Sequence, residues 1–144
     1  MIPPFNSRGT LPRGVHGTTM VEIESRLGFD DHRRHLVQGL KRAVANLDAA
    51  GVRRVWIDGG FVTDQPDPAD IDGCWDAAGV NPDLLDPVLL DLDDFRTAMK
   101  QKYGVDFFPS VVEGASGKVF YRFFQYGRDL QPRGILLLNL GGAA

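Results

Sequence analysis

Residues 52–76, VRRVWIDGGFVTDQPDPADIDGCWD, decide the fold of this chain because they read as a strand, a loop and a second strand. Residues 52–57 have the β-branched and aromatic character of a strand, and residues 71–75 form another short apolar stretch. Pro66 and Pro68 restrict the connection to a loop with at most one helical turn. We therefore expect two strands with polar groups gathered at their ends.

Two motifs lie at those strand ends. Gly59 and Gly60 lack Cβ atoms, so a phosphate group can approach their amides closely. Asp70 and Asp72 lie two apart, and on a strand such residues point to the same face with a spacing of roughly 6.5 Å. The pair therefore predicts a shared site for a hard divalent cation, Mg²⁺ or Mn²⁺.

The rest of the chain alternates helices and strands. Thr19 and Glu22 have capping-box spacing, which predicts a short helix ended by Gly28. Further periodic or apolar stretches predict a helix over 31–50, a helix over 94–103, a strand over 105–108, a helix from Ser116 and a strand over 134–140. The predicted fold class is α/β (α+β), a small mixed sheet with helices packed on it.

Composition sets the scale of the molecule. The chain has 144 residues, 43% of them hydrophobic, enough for one core. Glycines and prolines predict an extended arm over residues 1–17, which leaves residues 18–144 as a single domain. No leader pattern and no apolar run near the roughly 20 residues of a membrane helix is visible, and Cys74 is the single cysteine. We expect a soluble cytoplasmic protein with no membrane contact and with Cys74 buried.

An apolar residue, Gly-Gly, about ten residues and Asp-apolar-Asp together resemble the signature of the polymerase-β-type nucleotidyltransferase superfamily. The wider context is similar to a small, largely uncharacterised family of bacterial and phage proteins assigned to that superfamily. This second resemblance covers almost the whole chain, through residues 11–16, 61–64, 123–125 and 133–135. It implies a minimal nucleotidyltransferase fold that binds an NTP and two Mg²⁺ ions, and that transfers a nucleotidyl group to a hydroxyl.

The resemblance also implies a third carboxylate on a neighbouring strand. Asp106 is our choice, because it lies between apolar residues after the helix stop at Gly104. Asp91 and Asp93 alternate in a similar way, but they precede a helical pattern, where carboxylates favourably cap the N-terminal amides. The predicted catalytic and metal-binding residues are therefore Asp70, Asp72 and Asp106.

Basic residues near the end of the chain are candidates for phosphate or RNA-backbone contacts. Lys118 and Arg122 lie four apart on one face of the late helix, and Arg128 and Arg133 flank the turn before the last strand. A solvated face is an equally good interpretation of Lys118 and Arg122. With Gly59 and Gly60 these four form the predicted nucleotide-binding and phosphate-binding set.

Simpler interpretations compete with these. The acidic residues around Asp70 also fit a solvated turn, whereas an EF-hand loop fails because its first and twelfth positions would be Pro68 and Gly79. The three histidines are read as surface or capping residues. The phenylalanines of the late helix are read as core, because they repeat at helical spacing; they are Phe120, Phe123 and Phe124.

Two function classes follow from these features. The first is a metal-dependent nucleotidyltransferase that acts on an RNA hydroxyl, with tRNA among the candidates, or on a protein hydroxyl. Small members of the superfamily that the chain resembles often belong to toxin–antitoxin or phage-defence modules. The second is a catalytically weak or inactive relative, an antitoxin or a regulatory partner that binds a cognate protein. Gly60, at a position where a phosphate-binding serine is common, favours the second class.

Overall fold

The computed structural model describes residues 1–110 and 133–141. These residues form five strands and three α helices. The strands are β1 (Gly14–Thr18), β2 (Arg54–Asp58), β3 (Ile71–Asp76), β4 (Val105–Ser110) and β5 (Gly134–Asn139), and the helices are α1 (Met20–Leu27), α2 (Asp31–Ala49) and α3 (Asp93–Tyr103). Short 3₁₀ turns lie at Gly60–Val62 and Pro87–Leu90.

The strands form one mixed sheet in the order β1-β5-β2-β3-β4. β2 is antiparallel to both β3 and β5, whereas the two outer pairs, β1 with β5 and β3 with β4, are parallel. A mixed sheet with packed helices is an α+β fold, as the sequence predicts. The 59–70 connection is mostly loop and holds one 3₁₀ turn, which also agrees with the prediction.

The two faces of the sheet have different partners. Alternate strand residues such as Ile57 and Leu136 pack with Leu40 and Leu47 of α2 into the main core. On the opposite face Trp56, Cys74 and Ile135 form a small second cluster. Cys74 is buried, as expected, and burial raises the pKa of its thiol to about 12.

The first two helices begin and end where the sequence predicts. The Thr19 hydroxyl accepts a hydrogen bond from the Glu22 amide, and Gly28 ends α1. The Asp30 carboxylate accepts from the Arg33 amide at 2.8 Å and starts α2. Gly39 lies in the middle of α2, where a Cβ atom would come within 2.0 Å of the Tyr103 carbonyl oxygen. The missing side chain therefore lets α2 approach the end of α3 closely.

The predicted extended arm over residues 1–17 is wrong in its boundary. Residues 14–18 form β1, which pairs with β5, and Ile2 and Leu11 are fully buried. Gly134 allows this packing, since a Cβ atom there would lie 2.1 Å from the Pro12 carbonyl oxygen. Glycine and proline suppress local strand signals, so the sequence pattern does not show a strand that depends on a distant partner.

The late helix predicted from Ser116 lies outside the described residues, with its phenylalanines. The same holds for Lys118, Arg122 and Arg128, so their predicted contacts stay predictions. In residues 1–110 and 133–141, no helix has both the length and the apolar character needed to cross a membrane.

Candidate metal centre

A row of carboxylates crosses three adjacent strands on the face opposite the main core. The strand register places Asp72 of β3 directly opposite Asp58 of β2 and directly beside Asp106 of β4. Residues opposed in this way point to the same side of a sheet. Asp70 precedes β3 and lies two residues from Asp72, so strand alternation turns it to the same side.

Asp70, Asp72 and Asp106 bring their carboxylates together. Each offers one oxygen atom, and these atoms all lie within 4.8 Å of one another. All three residues are half-buried. Burial and, next, the negative charges of Asp70 and Asp106 together raise the pKa of Asp72 to about 7. A hard divalent cation that prefers oxygen ligands would relieve this repulsion.

Asp91 and Asp93, the alternative candidates for the third ligand, do not lie in the carboxylate cluster. The Asp91 carboxylate accepts a hydrogen bond from the Asp93 amide at 3.1 Å, in the turn before α3. The structure therefore places Asp106, and not Asp91 or Asp93, with Asp70 and Asp72, whereas its role as a metal ligand stays a prediction. Parallel pairing of β3 with β4 is the reason, because it puts Asp106 beside Asp72.

Asp58 is a fourth carboxylate, which the sequence analysis missed. It is 6% exposed, and its Oδ1 atom has no hydrogen-bond partner among the described residues. Burial raises its pKa to about 6, an effect that the Gly59 backbone and the positive charge of Arg133 oppose. A buried carboxylate oxygen without a partner is costly, so a cation or a proton is expected there. The sequence signal for Asp58 was its position directly before Gly59.

Two cations from α3 lie against the cluster, and the sequence analysis missed them as well. Arg96 donates to both oxygens of Asp106, at 2.8 and 3.2 Å. The Lys100 ammonium lies 3.6 Å from Asp106 and 3.9 Å from Asp70. The sequence signal for Arg96 and Lys100 was their spacing, because residues four apart share a helix face. These side chains neutralise part of the acidic charge.

The start of α3 has an unusual backbone. Asp94, Phe95 and Arg96 have φ values of 49°, 54° and 62°, in the left-handed region. Left-handed residues with side chains cost about 1 kcal/mol or more each. This turn aims Arg96 at Asp106, and the guanidinium also lies over the Phe108 ring, 4.9 Å from its centroid.

The Gly59–Gly60 pair lies directly beside the cluster. Gly59 has φ 81° and ψ −164°, a conformation that is essentially restricted to glycine. A Cβ atom there would lie 2.1 Å from Oδ2 of Asp72. A Cβ atom on Gly60 would lie 2.4 Å from Oε1 of Gln65. The backbone thus runs closely past the Asp72 carboxylate.

We expect Gly59→Ala to damage this site more than its backbone strain alone explains. The new methyl group would displace the Asp72 carboxylate, so Mg²⁺ affinity should fall about tenfold or more, a loss of roughly 1.4 kcal/mol in binding. Calorimetric titration of the metal measures this, and urea unfolding measures the accompanying loss of stability. Gly79→Ala is the matched control, because Gly79 also has positive φ (75°) but a Cβ atom there meets nothing within 4 Å. Equal metal affinities in the two variants would contradict the proposed role of Gly59.

A buried arginine holds the loop that follows these glycines. Arg33 of α2 is 0% exposed, and its guanidinium donates to carbonyl oxygens of the 60–65 loop and of Leu27 at the end of α1. The acceptors and distances are Leu27 (3.1 Å), Phe61 (2.8 Å), Gly60 (3.3 Å), Thr63 (2.7 Å) and Gln65 (2.8 Å). The signal was its place three residues before Leu36 and four before Val37, in line with the buried stripe of α2.

Two of the histidines, which were predicted to be surface or capping residues, form hydrogen bonds with backbone carbonyl oxygens. His32 forms a 2.6 Å hydrogen bond with the Pro68 carbonyl oxygen, and His16 forms one of 2.7 Å with that of Pro12. Arg133 is half-buried and near enough to influence Asp58 electrostatically.

The fold and the site together define an α+β protein with a cluster of carboxylates at the ends of adjacent strands. The chain belongs to a family of unknown function (DUF6932), whose model matches residues 3–139. No curated protein and no solved structure matches it.

Proposed function

We propose that this protein is a metal-dependent nucleotidyltransferase that moves a nucleotidyl group from an NTP to a hydroxyl of RNA or protein. The observation that carries this proposal is the convergence of Asp70, Asp72 and Asp106, with one oxygen atom of each within 4.8 Å of the others. The resemblance in the spacing of Gly59-Gly60 and Asp70-Ile71-Asp72 supports the same activity. Mg²⁺ is the proposed cofactor, with Mn²⁺ as its substitute.

The donor set suits such a cation. All the ligands offered are carboxylate oxygens, which hard ions prefer over nitrogen or sulfur. The buried Oδ1 atom of Asp58, which has no partner within the described ranges, adds acceptor capacity behind the cluster. When bound, Mg²⁺ lowers the pKa of an attacking hydroxyl and stabilises charge on the triphosphate.

The residues of the chain take the following roles in the proposed reaction. Asp70, Asp72 and Asp106 hold the cations, and the amides of Gly59 and Gly60 bind phosphate oxygens. The acceptor hydroxyl oxygen forms a bond to the α-phosphorus of the NTP as the bond from that phosphorus to the bridging oxygen breaks. Pyrophosphate leaves, and a carboxylate oxygen of the cluster takes the hydroxyl proton.

In this proposal the basic side chains near the site bind the negatively charged phosphates. Arg133 lies near Asp58. The other basic residues toward the end of the chain are assigned to the triphosphate or the RNA backbone; they are Lys118, Arg122 and Arg128. Arg96, which donates to both oxygens of Asp106, would hold positive charge beside the bound cation and the phosphates. The reaction is placed in the cytoplasm, where NTPs and RNA are present and a single cysteine suits the reducing conditions.

Transfer of label from each NTP in turn tests the proposal. The protein is incubated with Mg²⁺, one NTP labelled at the α-phosphate, and total RNA, and the label is followed into RNA and into protein. Label in either acceptor supports nucleotidyl transfer and identifies the acceptor class. Release of labelled nucleoside monophosphate without transfer would indicate hydrolysis instead, and the absence of any turnover with all four NTPs would favour the binding-protein alternative.

We also expect Mg²⁺ or Mn²⁺ to raise thermal stability. The cation relieves carboxylate repulsion in the folded state, where Asp70, Asp72 and Asp106 are held together. At about ten times its dissociation constant a ligand adds about 1.4 kcal/mol, which raises Tm by about 4 °C in a domain of this size. Thermal unfolding at constant ionic strength measures the shift.

The double variant Asp70→Asn/Asp72→Asn is the control and should lose this shift. Calorimetric titration with millimolar metal, with and without NTP, is the independent measurement. No heat of binding under either condition would contradict the metal site.

A further inference from the structure

A cleft with cationic walls lies between α2 and the end of α3. Its volume is about 220 Å³. Its charged and polar walls come from His32, His35 and Arg42 on α2 and from Lys100, Gln101 and Lys102 on α3. None of the described residues that line it is a carboxylate. The chain as a whole carries a net charge of −3, so a lining with cations and no carboxylate differs from the chain average. Lys100 and Lys102 are paired with carboxylates outside this lining, whereas Arg42 is held by a carbonyl oxygen and a ring.

The cations of the cleft are held in place by their neighbours. Arg42 donates to the Lys102 carbonyl oxygen at 2.9 Å, and its guanidinium lies over the Tyr103 ring, 5.5 Å from the centroid. The Lys102 ammonium pairs with Asp86, which also accepts from the Tyr103 hydroxyl. The Arg42 guanidinium has further N–H groups beyond the one that donates to the Lys102 carbonyl oxygen. An incoming anion would therefore meet donors whose positions are already set.

Lys100 joins the cleft to the carboxylate cluster. It lines the cleft, and its ammonium lies 3.6 Å from Asp106 and 3.9 Å from Asp70. Ala69, next to Asp70 in the chain, is also part of the wall. A chain of phosphates that starts in the cleft would thus end beside the carboxylates.

The shape of the cleft favours a sugar–phosphate backbone over a base. Its volume is below the roughly 300 Å³ typical of pockets that enclose a small molecule. Among the described lining residues Tyr103 is the one phenylalanine, tyrosine or tryptophan, and it is buried, so its ring offers no open face for base stacking. The contacts that remain are positive charges and N–H donors, which bind phosphate without regard to base sequence.

We propose that this cleft binds the phosphodiester backbone of the acceptor RNA and guides its reactive hydroxyl to the carboxylate cluster. The proposal rests on the nucleotidyltransferase function for the reaction, but binding itself requires neither metal nor NTP. Arg42 and Lys102 contact phosphates, and Lys100 lies where the backbone passes to the reacting end.

Fluorescence anisotropy with a short labelled single-stranded RNA, without metal or NTP, tests the proposal. Three phosphate contacts give a salt slope of about −2, so the affinity should fall about 20-fold between roughly 50 and 200 mM salt. Arg42→Gln/Lys102→Gln should lower the affinity about tenfold at low salt and reduce the slope to about −0.7. Arg42→Lys/Lys102→Arg keeps both charges and should retain most of the slope.

The matched control is Arg34→Gln/Lys41→Gln, which removes the same charge from α2 away from the cleft. Arg34 pairs with Asp31, and Lys41 pairs with Glu24 and lines a different groove. Thermal unfolding confirms that each variant is folded. If the cleft variant and this control lose equal affinity, the cleft is not the RNA site and the proposal is wrong.

Competitors and label transfer separate the remaining outcomes. If polyglutamate competes as well as unlabelled RNA, the cleft binds an acidic protein; if ATP alone competes fully, it belongs to the nucleotide. Either result overturns the proposal. RNA binding that depends on Arg42 and Lys102, with no label transfer from any NTP, would support the cleft and reject the enzymatic function. Transfer with undiminished RNA affinity in the cleft variant would reject the cleft alone.

Discussion

Replacing Asp72 with asparagine should lower nucleotidyl transfer by about 100-fold or more, because several kcal/mol of transition-state stabilisation would be lost. Asparagine keeps nearly all of the volume but removes the negative charge at the centre of the carboxylate row. Rates of label transfer from the NTP to its acceptor measure the effect. Stability without metal should stay level or rise slightly, because the pKa of Asp72 is raised to about 7 and its charged form is disfavoured in the fold.

Asp76→Asn is the matched control for this prediction. Asp76 lies on the same strand, four residues further on, where it pairs with Arg54 at 2.7 Å, away from the cluster. It should keep near-normal transfer, because a surface ion pair contributes about 1 kcal/mol or less to stability. Similar rates in the two variants would remove Asp72 from the proposed mechanism. A biological effect that survives Asp70→Asn/Asp72→Asn would instead favour a binding protein.

Replacing Arg33 with methionine should destabilise the fold by about 3–5 kcal/mol. The substitution leaves buried carbonyl oxygens of the 60–65 loop and of Leu27 without a donor. It also removes the contact of the guanidinium with the Phe29 ring, whose centroid lies 4.1 Å away. Tm should fall by about 10–20 °C. Arg33→Lys should lose much of the same stability, because a compact ammonium has three donors and cannot reproduce the planar fork.

Arg34→Met is the control, since Arg34 is the next residue on α2 and forms an exposed pair with Asp31. It should cost less than about 1 kcal/mol. Urea unfolding compares the free energies of unfolding of the variants. If Arg33→Met and Arg34→Met differ by less than about 1 kcal/mol, the loop does not depend on the buried guanidinium.

The sequence predicted the elements whose signals are local. The α2 stripe, the capping residues Thr19 and Gly28 and the apolar run of β5 depend on neighbours within a few residues, and each lies close to its predicted place. The edge strand β1 was missed because its glycine-rich sequence has little strand propensity and its partner β5 is distant in the chain. The left-handed turn at Asp94–Arg96 was missed because no glycine or asparagine marks it.

For the candidate site, the spacing of Asp70 and Asp72 predicted that both face the same side, because strand alternation fixes which side chains of one strand share a face. Asp106 was chosen for the third carboxylate that the resemblance implies, and its place beside Asp72 depends on the parallel pairing of β3 with β4. The fourth carboxylate, Asp58, depended on the antiparallel register of β2 with β3. A register depends on long-range pairing, which no local pattern encodes.

The contacts that Arg96, Lys100 and Arg33 make depend on the tertiary structure. Arg96 and Lys100 read as ordinary charged residues of α3 until the turn before the helix and the β3–β4 pairing bring them to Asp106. Arg33 lies in line with the buried stripe of α2, but its acceptors are brought to it only when α2 packs on the 60–65 loop. The sequence by itself determined which residues have the chemistry to bind metal and phosphate. The tertiary structure decided which charges face one another, because Coulomb energies and hydrogen bonds depend on distances that only long-range packing sets.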